Sequence, residues 1–222
     1  MKDELLSLAA ELLPYGTKLK AGSKFINAAF KKGTVSRADR FLSSVELRYD
    51  YMSEKERTTF KKYIESKEGQ QITTDFANAV HHTPSIIVNA ALALLYCNDP
   101  EYSFTPDEVQ RFVAAVEGLT DKKVDFLIEL LKLKPIDQPS IFPNYAINQI
   151  NYSSFHATVS LDEVFIYISD FQARGLLLND TNIRTGMTFD SGITSVDNWY
   201  VKFGISDTCR KFISLLNCSA LI

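Results

Sequence analysis

The sequence predicts a mostly α protein, an N-terminal multi-helix bundle followed by a small α+β unit, and three observations carry that reading. Apolar residues recur three and four apart in nearly every segment up to Lys134. Helix-start signals are frequent over the same stretch. Beyond it the periodicity gives way to PIDQPSIFPNYAINQINY, where Pro135, Pro139 and Pro143 hold their predecessors extended. The chain has 222 residues, 45% hydrophobic and 23% charged, far from the apolar-poor signature of disorder. At roughly 150 residues per domain the length allows one large or two small domains. About 70% of the unfolded surface can be buried at this size, enough for a core without disulfides or structural metal.

Helices are expected over 3–13, 17–31, 36–49, 53–66, 70–82, 84–96, 105–117 and 120–133. Ser53 with Glu56 and Thr105 with Glu108 have the spacing of capping boxes, and Pro106 sits at a first helical position, where its missing N–H does no harm. Thr83 followed by Pro84, and Thr120 followed by Asp121, open two more. The helix from Pro84 to Tyr96 is apolar on nearly all faces, so it should lie at the centre of the bundle. Phe112, Val113 and Val116, then Val124, Phe126, Leu127, Leu130 and Leu131, form apolar stripes on two helices joined by Gly118 and Leu119, the pattern of an antiparallel hairpin. These features outline a helical domain over 1–134 and a linker over 135–154.

The second unit, 155–222, opens on a capping box at Ser160 and Glu163, and the helix that follows stops at Gly175, which fits a left-handed C-cap. Leu176-Leu177-Leu178 reads as a short strand, 179–198 as a polar loop, 199–203 as a strand, and Ser206 to Leu216 as a closing helix. Helix, glycine, strand, long polar loop, strand and closing helix resembles the end of a winged-helix domain, in which the loop is the wing. FQARGLLLND looks like the helix-to-strand junction of such domains, and FGISDTCRKFISLL like the wing strand running into the final helix. A helical N-terminal region joined to such a unit is also similar to bacterial abortive-infection alpha-type proteins. Their last strand and helix read Leu-Thr-x-x-Gly-x-x-Phe, onto which Ile205, Ser206 and Phe212 fall, with Cys209 where the family has glycine. The resemblance implies a phage-defence or prophage-encoded regulatory role and transfers no catalytic residue.

Net charge is −3, yet Tyr15 to Arg40 holds seven bases, Lys18, Lys20, Lys24, Lys31, Lys32, Arg37 and Arg40, against Asp39 alone. That segment is +6, so the remaining residues sum to −9. Clustered bases attract anionic partners through counterion release and Coulomb steering, so nucleic acid is one candidate partner. Leu19, Phe25, Ile26 and Phe30 among the lysines also fit an amphipathic helix on a membrane surface or in a partner's groove. The helix in the position that reads DNA in a winged helix is acidic, with Asp162, Glu163 and Asp170 against Arg174 alone. A reading helix approaches phosphate and needs bases, so a protein partner is favoured. The candidate binding residues are therefore Lys18, Lys20, Lys24, Lys31 and Lys32, and, around the loop, Arg184, Trp199 and Tyr200. Arg210 and Lys211 on the closing helix are within reach of phosphate but read as ordinary surface charges.

Catalytic signatures are sparse. Nine glycines are scattered, and no phosphate loop, dinucleotide fingerprint or nucleophile elbow occurs. Cys97, Cys209 and Cys218 are odd in number and unpatterned, as expected of reduced thiols in a cytoplasm. No cofactor is expected. A metal-dependent hydrolase, if present, would use Asp75, His81 and His82, although adjacent histidines on a helix point about 100° apart and share an ion poorly. The longest apolar run, Ser85 to Cys97, has 13 residues and contains Asn89, short of the roughly 20 that span a bilayer.

Overall fold

A computed structural model describes residues 35–97, 104–137, 139–155, 158–179 and 199–220. The helices expected over 3–13 and 17–31, Lys18, Lys20, Lys24, Lys31, Lys32, Arg184 and nearly all of the loop 179–198 lie outside the described residues. The described residues form eight α-helices and a two-stranded antiparallel sheet. The chain divides into two compact units, Met1–Asp121 with Cys218–Ile222, and Lys122–Asn217.

In the first unit the helices are α1 (Val35–Tyr51), α2 (Glu54–Glu65), α3 (Lys67–His82), α4 (Ile86–Tyr96) and α5 (Pro106–Val116). Local chemistry starts α2 and α5 where the sequence predicts, whereas α3 begins at Lys67 rather than 70 and α4 is capped by Ser85 rather than by Thr83. The Ser53 N–H donates to Glu56 Oε2 at 2.7 Å while the Glu56 N–H donates back to Ser53 Oγ, and Thr105 with Glu108 repeats the exchange at 2.8 and 3.3 Å. One residue, Ser66, ends α2 and begins α3: its N–H donates to Tyr63 O at 3.0 Å, and its Oγ accepts from the Gly69 N–H at 2.9 Å. A turn this tight brings the first turn of α3 against the last carbonyls of α2, which is why residue 69 is glycine.

Helix α4 is the centre of this unit, with Val88 to Ala93, Leu95 and Tyr96 all buried. The Tyr96 ring lies 5.5–5.7 Å from those of Phe41, Phe60 and Phe76, within the range of favourable edge contacts. Thr73 Oγ1 donates to Gly69 O at 2.7 Å, so the Tyr96 hydroxyl, 3.0 Å away, donates to Thr73. Burial pushes the Tyr96 phenol up to about 12, and it stays neutral at any physiological pH.

The first turn of α4 is held from a distance. Ser85 Oγ accepts from the Val88 N–H at 3.1 Å, and Asp121 Oδ1 accepts from Ser85 Oγ at 2.5 Å and from the N–H groups of Ile86 and Ile87 at 2.9 and 3.3 Å. A carboxylate there meets both the orphan amides and the positive end of the helix dipole. Asp121→Ala is expected to cost about 1–2 kcal/mol, read as a lower urea midpoint at unchanged slope, with Asp121→Asn losing less.

The second unit holds α6 (Asp121–Leu130) after its first residue, β1 (Asn144–Asn148), a 3-10 turn (Tyr152–Ser154), α7 (Leu161–Ala173), β2 (Tyr200–Gly204) and α8 (Asp207–Ser219) up to Asn217. The apolar stripes of α5 and α6, expected to face each other in a hairpin, belong to different units, because the chain divides at the first residue of α6, between Asp121 and Lys122. In its own unit Phe126 packs against Phe155, Tyr167 and Phe171 at 5.6, 5.9 and 6.3 Å.

Residues 144–148, inside the stretch expected to be a linker, form β1 and pair with β2 in the register Tyr145↔Phe203 and Ile147↔Val201. Tyr145 and Ile147 alternate inward from this short strand, and the three prolines just before it mask that alternation in the sequence. The strand expected at Leu176–Leu178 is reduced to one bridge, Leu178 with Gly204. The expected C-cap at Gly175 is present: φ is +72°, the Leu176 N–H reaches Phe171 O at 2.9 Å, and the Gly175 N–H reaches Gln172 O at 3.1 Å.

Candidate functional site

Helix α7 separates its surroundings by residue type. Val164, Tyr167, Ile168 and Phe171 face the core; Asp162, Ile166, Ser169 and Ala173 face solvent. Its acids are mostly spoken for. Lys122 Nζ reaches both carboxylate oxygens of Glu163 at 2.6 and 2.7 Å, and the Tyr167 hydroxyl adds a third donor at 3.0 Å. Asp170 takes Lys123 and Arg174, each at 2.7 Å. Asp162 accepts from the cap serine, Ser160, at 2.5 Å. The three acids of the helix thus stand with three bases, and the helix surroundings are close to neutral. The solvent face itself carries no base, and Ile166 on it is 57% exposed.

These contacts set the pH response. The hydrogen bond from Lys122, then those from the Ser160 backbone and Tyr167, hold Glu163 down to about 2. For Asp170, burial pulls upward, but the donors Lys123 and Arg174 prevail and keep it below its usual range. A carboxylate depressed in the folded state contributes stability above its unfolded value and loses it as pH falls through the folded one. Wild type is therefore expected to be more stable than Glu163→Gln at neutral pH. That gap should close as pH falls from about 4.3 towards 2, measured by urea unfolding at a series of pH values. A gap that is independent of pH would contradict the assignment.

Beside α7 lies an aromatic corner. Trp199, half-buried, packs edge-on to Tyr152 at 5.6 Å and tilted against Phe165 at 5.8 Å. Tyr200 follows on β2 with Lys202 Nζ 4.9 Å from its ring centroid, and Ile150, in the turn after β1, is 81% exposed. Of the binding residues expected from sequence, Trp199 and Tyr200 are brought together here. Tyr152, Phe165, Lys122 and Lys123 carry no local signal of their part. The lysines precede their partners by 41 and 47 positions, so only the fold pairs them.

Other expectations resolve differently. Arg37, one of the seven bases of the N-terminal segment, donates to His81 O at 2.6 Å and so serves the end of α3. Arg210 donates to the Tyr145 hydroxyl at 2.9 Å. The metal constellation is not assembled: Asp75 accepts from Gln71 at 3.4 Å, His82 Nδ1 sits 3.1 Å from Glu117, and among the described residues no three His, Cys, Asp or Glu side chains gather to hold an ion. Among the described residues no helix is long and apolar enough to cross a membrane. The chain matches no family model, no curated protein and no solved structure.

Proposed function

We propose that the chain is a non-enzymatic binding protein whose C-terminal unit is winged-helix-like and engages another protein through α7 and the Trp199 corner. The observation that carries this reading is the solvent face of α7, which offers Asp162, Ile166, Ser169 and Ala173 and no base. A helix that enters a major groove approaches two phosphate backbones and gains its affinity from Lys and Arg. Here the nearby lysines are consumed by Glu163 and Asp170. An apolar side chain at the centre of a face without bases, beside half-buried aromatic rings, is the composition of a protein-binding surface. The strand order supports the winged-helix comparison: β2 lies between β1 and the bridge at Leu178. A phage-defence or prophage-encoded regulatory role, exercised in the cytoplasm, is the physiological setting implied by the resemblance to abortive-infection alpha-type proteins.

The test uses the full chain and two variants, Ile166→Glu and a fivefold Lys→Glu change at Lys18, Lys20, Lys24, Lys31 and Lys32. Partner capture from the native host should be lost in Ile166→Glu, whose circular dichroism stays native because residue 166 is exposed. Titration of a labelled duplex should show no tight binding. Duplex affinity that falls steeply with salt and disappears in the lysine variant would overturn the reading and assign the N-terminal segment to nucleic acid.

A further inference from the structure

We infer that the solvent face of α7 pairs antiparallel with the same face of a second copy of the chain. The inference rests on the reading of α7 as a protein-binding face and names the protein that meets it. Asp162, Ile166, Ser169 and Ala173 all lie exposed, spaced four, three and four apart. That alternation is the a and d spacing of a heptad, the narrow seam of a two-helix contact. An α-helix lets such a row drift by only about 20° per heptad, so over three turns the four side chains stay in line. It is a second stripe, distinct from Val164, Tyr167, Ile168 and Phe171 on the buried side.

The occupant follows from how the face meets its own reverse. A two-fold pair repeats every contact, so that residue i touches j and j touches i. Centred between Tyr167 and Ile168, an antiparallel pair sets Ile166 against Ser169 of the second copy and Asp162 against its Ala173, each twice. Ile166, 57% exposed, is the one large side chain of the face, and it enters the gap left by Ser169 and by Ala173 one turn on. The fit is reciprocal.

The charges agree with this direction. Asp162, in the first turn of one helix, comes to the end of the other, where Arg174 follows Ala173; a parallel pair would set Asp162 on Asp162. The acids that flank the seam, Glu163 and Asp170, bring Lys122 and Lys123 with them at 2.6 and 2.7 Å, so no row of like charges opposes the approach. On the other flank Phe165, half-buried against Trp199 at 5.8 Å, extends the apolar area. One helix face beside an aromatic ring is smaller than the roughly 800 Å² per partner of a standard interface, so the dimer is weak and forms as concentration rises.

Two measurements on the full chain test it. In sedimentation equilibrium the weight-average mass of wild type should rise with concentration from the monomer's 25.0 kDa towards twice that value. Ile166→Glu, native by circular dichroism because residue 166 is exposed, should stay at the monomer mass. Cysteine cross-linking then reads the register. Asp162 and Ala173 are 11 residues apart, about 16 Å along a helix, whereas a disulfide needs Cα atoms within about 7 Å. In the antiparallel pair neither Asp162→Cys nor Ala173→Cys can therefore bridge to its own kind, but an oxidised mixture of the two should yield the mixed dimer. Each variant alone should match wild type, in which Cys97 and Cys209 are buried and Cys218 is half-buried. A wild type that keeps the monomer mass at every concentration, a dimer unmoved by Ile166→Glu, absence of the mixed disulfide, or cross-links that form equally in the single variants would overturn the inference. The protein-binding reading itself falls to a different result, tight and salt-sensitive duplex binding, so the two fail separately.

Discussion

Alanine in place of Phe126 is expected to remove roughly 3–5 kcal/mol of stability, the cost of deleting a fully buried ring. Phe126 is 2% exposed and is the residue at which Phe155, Tyr167 and Phe171 meet, so it joins α6, the turn before α7, and α7 itself. The cavity would be walled by large rings fixed by their own neighbours, which limits collapse and places the cost high in the range. Hydrogen exchange should show the loss concentrated in Lys122–Asn217, with amides of α4 least affected, because Phe126 belongs to one unit. Phe126→Leu, which keeps most of the volume, should cost about 1.5 kcal/mol or less. A Phe126→Ala protein with the wild-type urea midpoint would mean that these rings do not converge. If the protein partner binds α7, its affinity should fall with the same substitution.

Gly69→Ala is expected to destabilise by a few kcal/mol, although alanine is the better helix former by about 1 kcal/mol. A Cβ at this position would stand 1.9 Å from Tyr63 O and 2.7 Å from Tyr63 C. Both are backbone atoms and cannot swing aside, so the two helices joined at Ser66 would have to part. Gly175 makes the contrast: nothing lies within 4 Å of its would-be Cβ, and only its φ of +72° resists substitution. A thermal melt in which Gly69→Ala matches or exceeds wild type would refute the close approach of α2 and α3.

What could be read in advance was what depends on neighbours within one turn. The capping pairs Ser53–Glu56, Thr105–Glu108 and Ser160–Glu163, the stop at Gly175, and the all-round apolar helix, expected over 84–96 and formed over Ile86–Tyr96, were each legible, because a cap or a C-terminal glycine acts over three or four residues. Strand β1 was not. Its alternation, Tyr145 and Ile147 inward, spans five residues just after a run of prolines, and its partner begins 52 positions after it ends, so no local signal separates it from a linker. The candidate site was legible by half. Trp199 and Tyr200 stood out as aromatics beside a polar loop, and the acids of α7 were visible as a charge excess.

The meaning of that excess changed once the chain was folded. A row of acids on a helix reads as a negative face in sequence; in the structure Lys122 and Lys123 neutralise it, and the face left to solvent is the apolar Ile166. Helix identity and helix ends follow from residue chemistry within a few positions, where backbone amides find side-chain oxygens without help from the rest of the chain. Strand pairing, the partition of α5 and α6 between two cores, and the neutralisation of α7 rest on contacts between residues about forty or more positions apart, or on a division of the chain that no local pattern marks. Such contacts depend on loop closure and packing, and only the folded chain decides which groups meet.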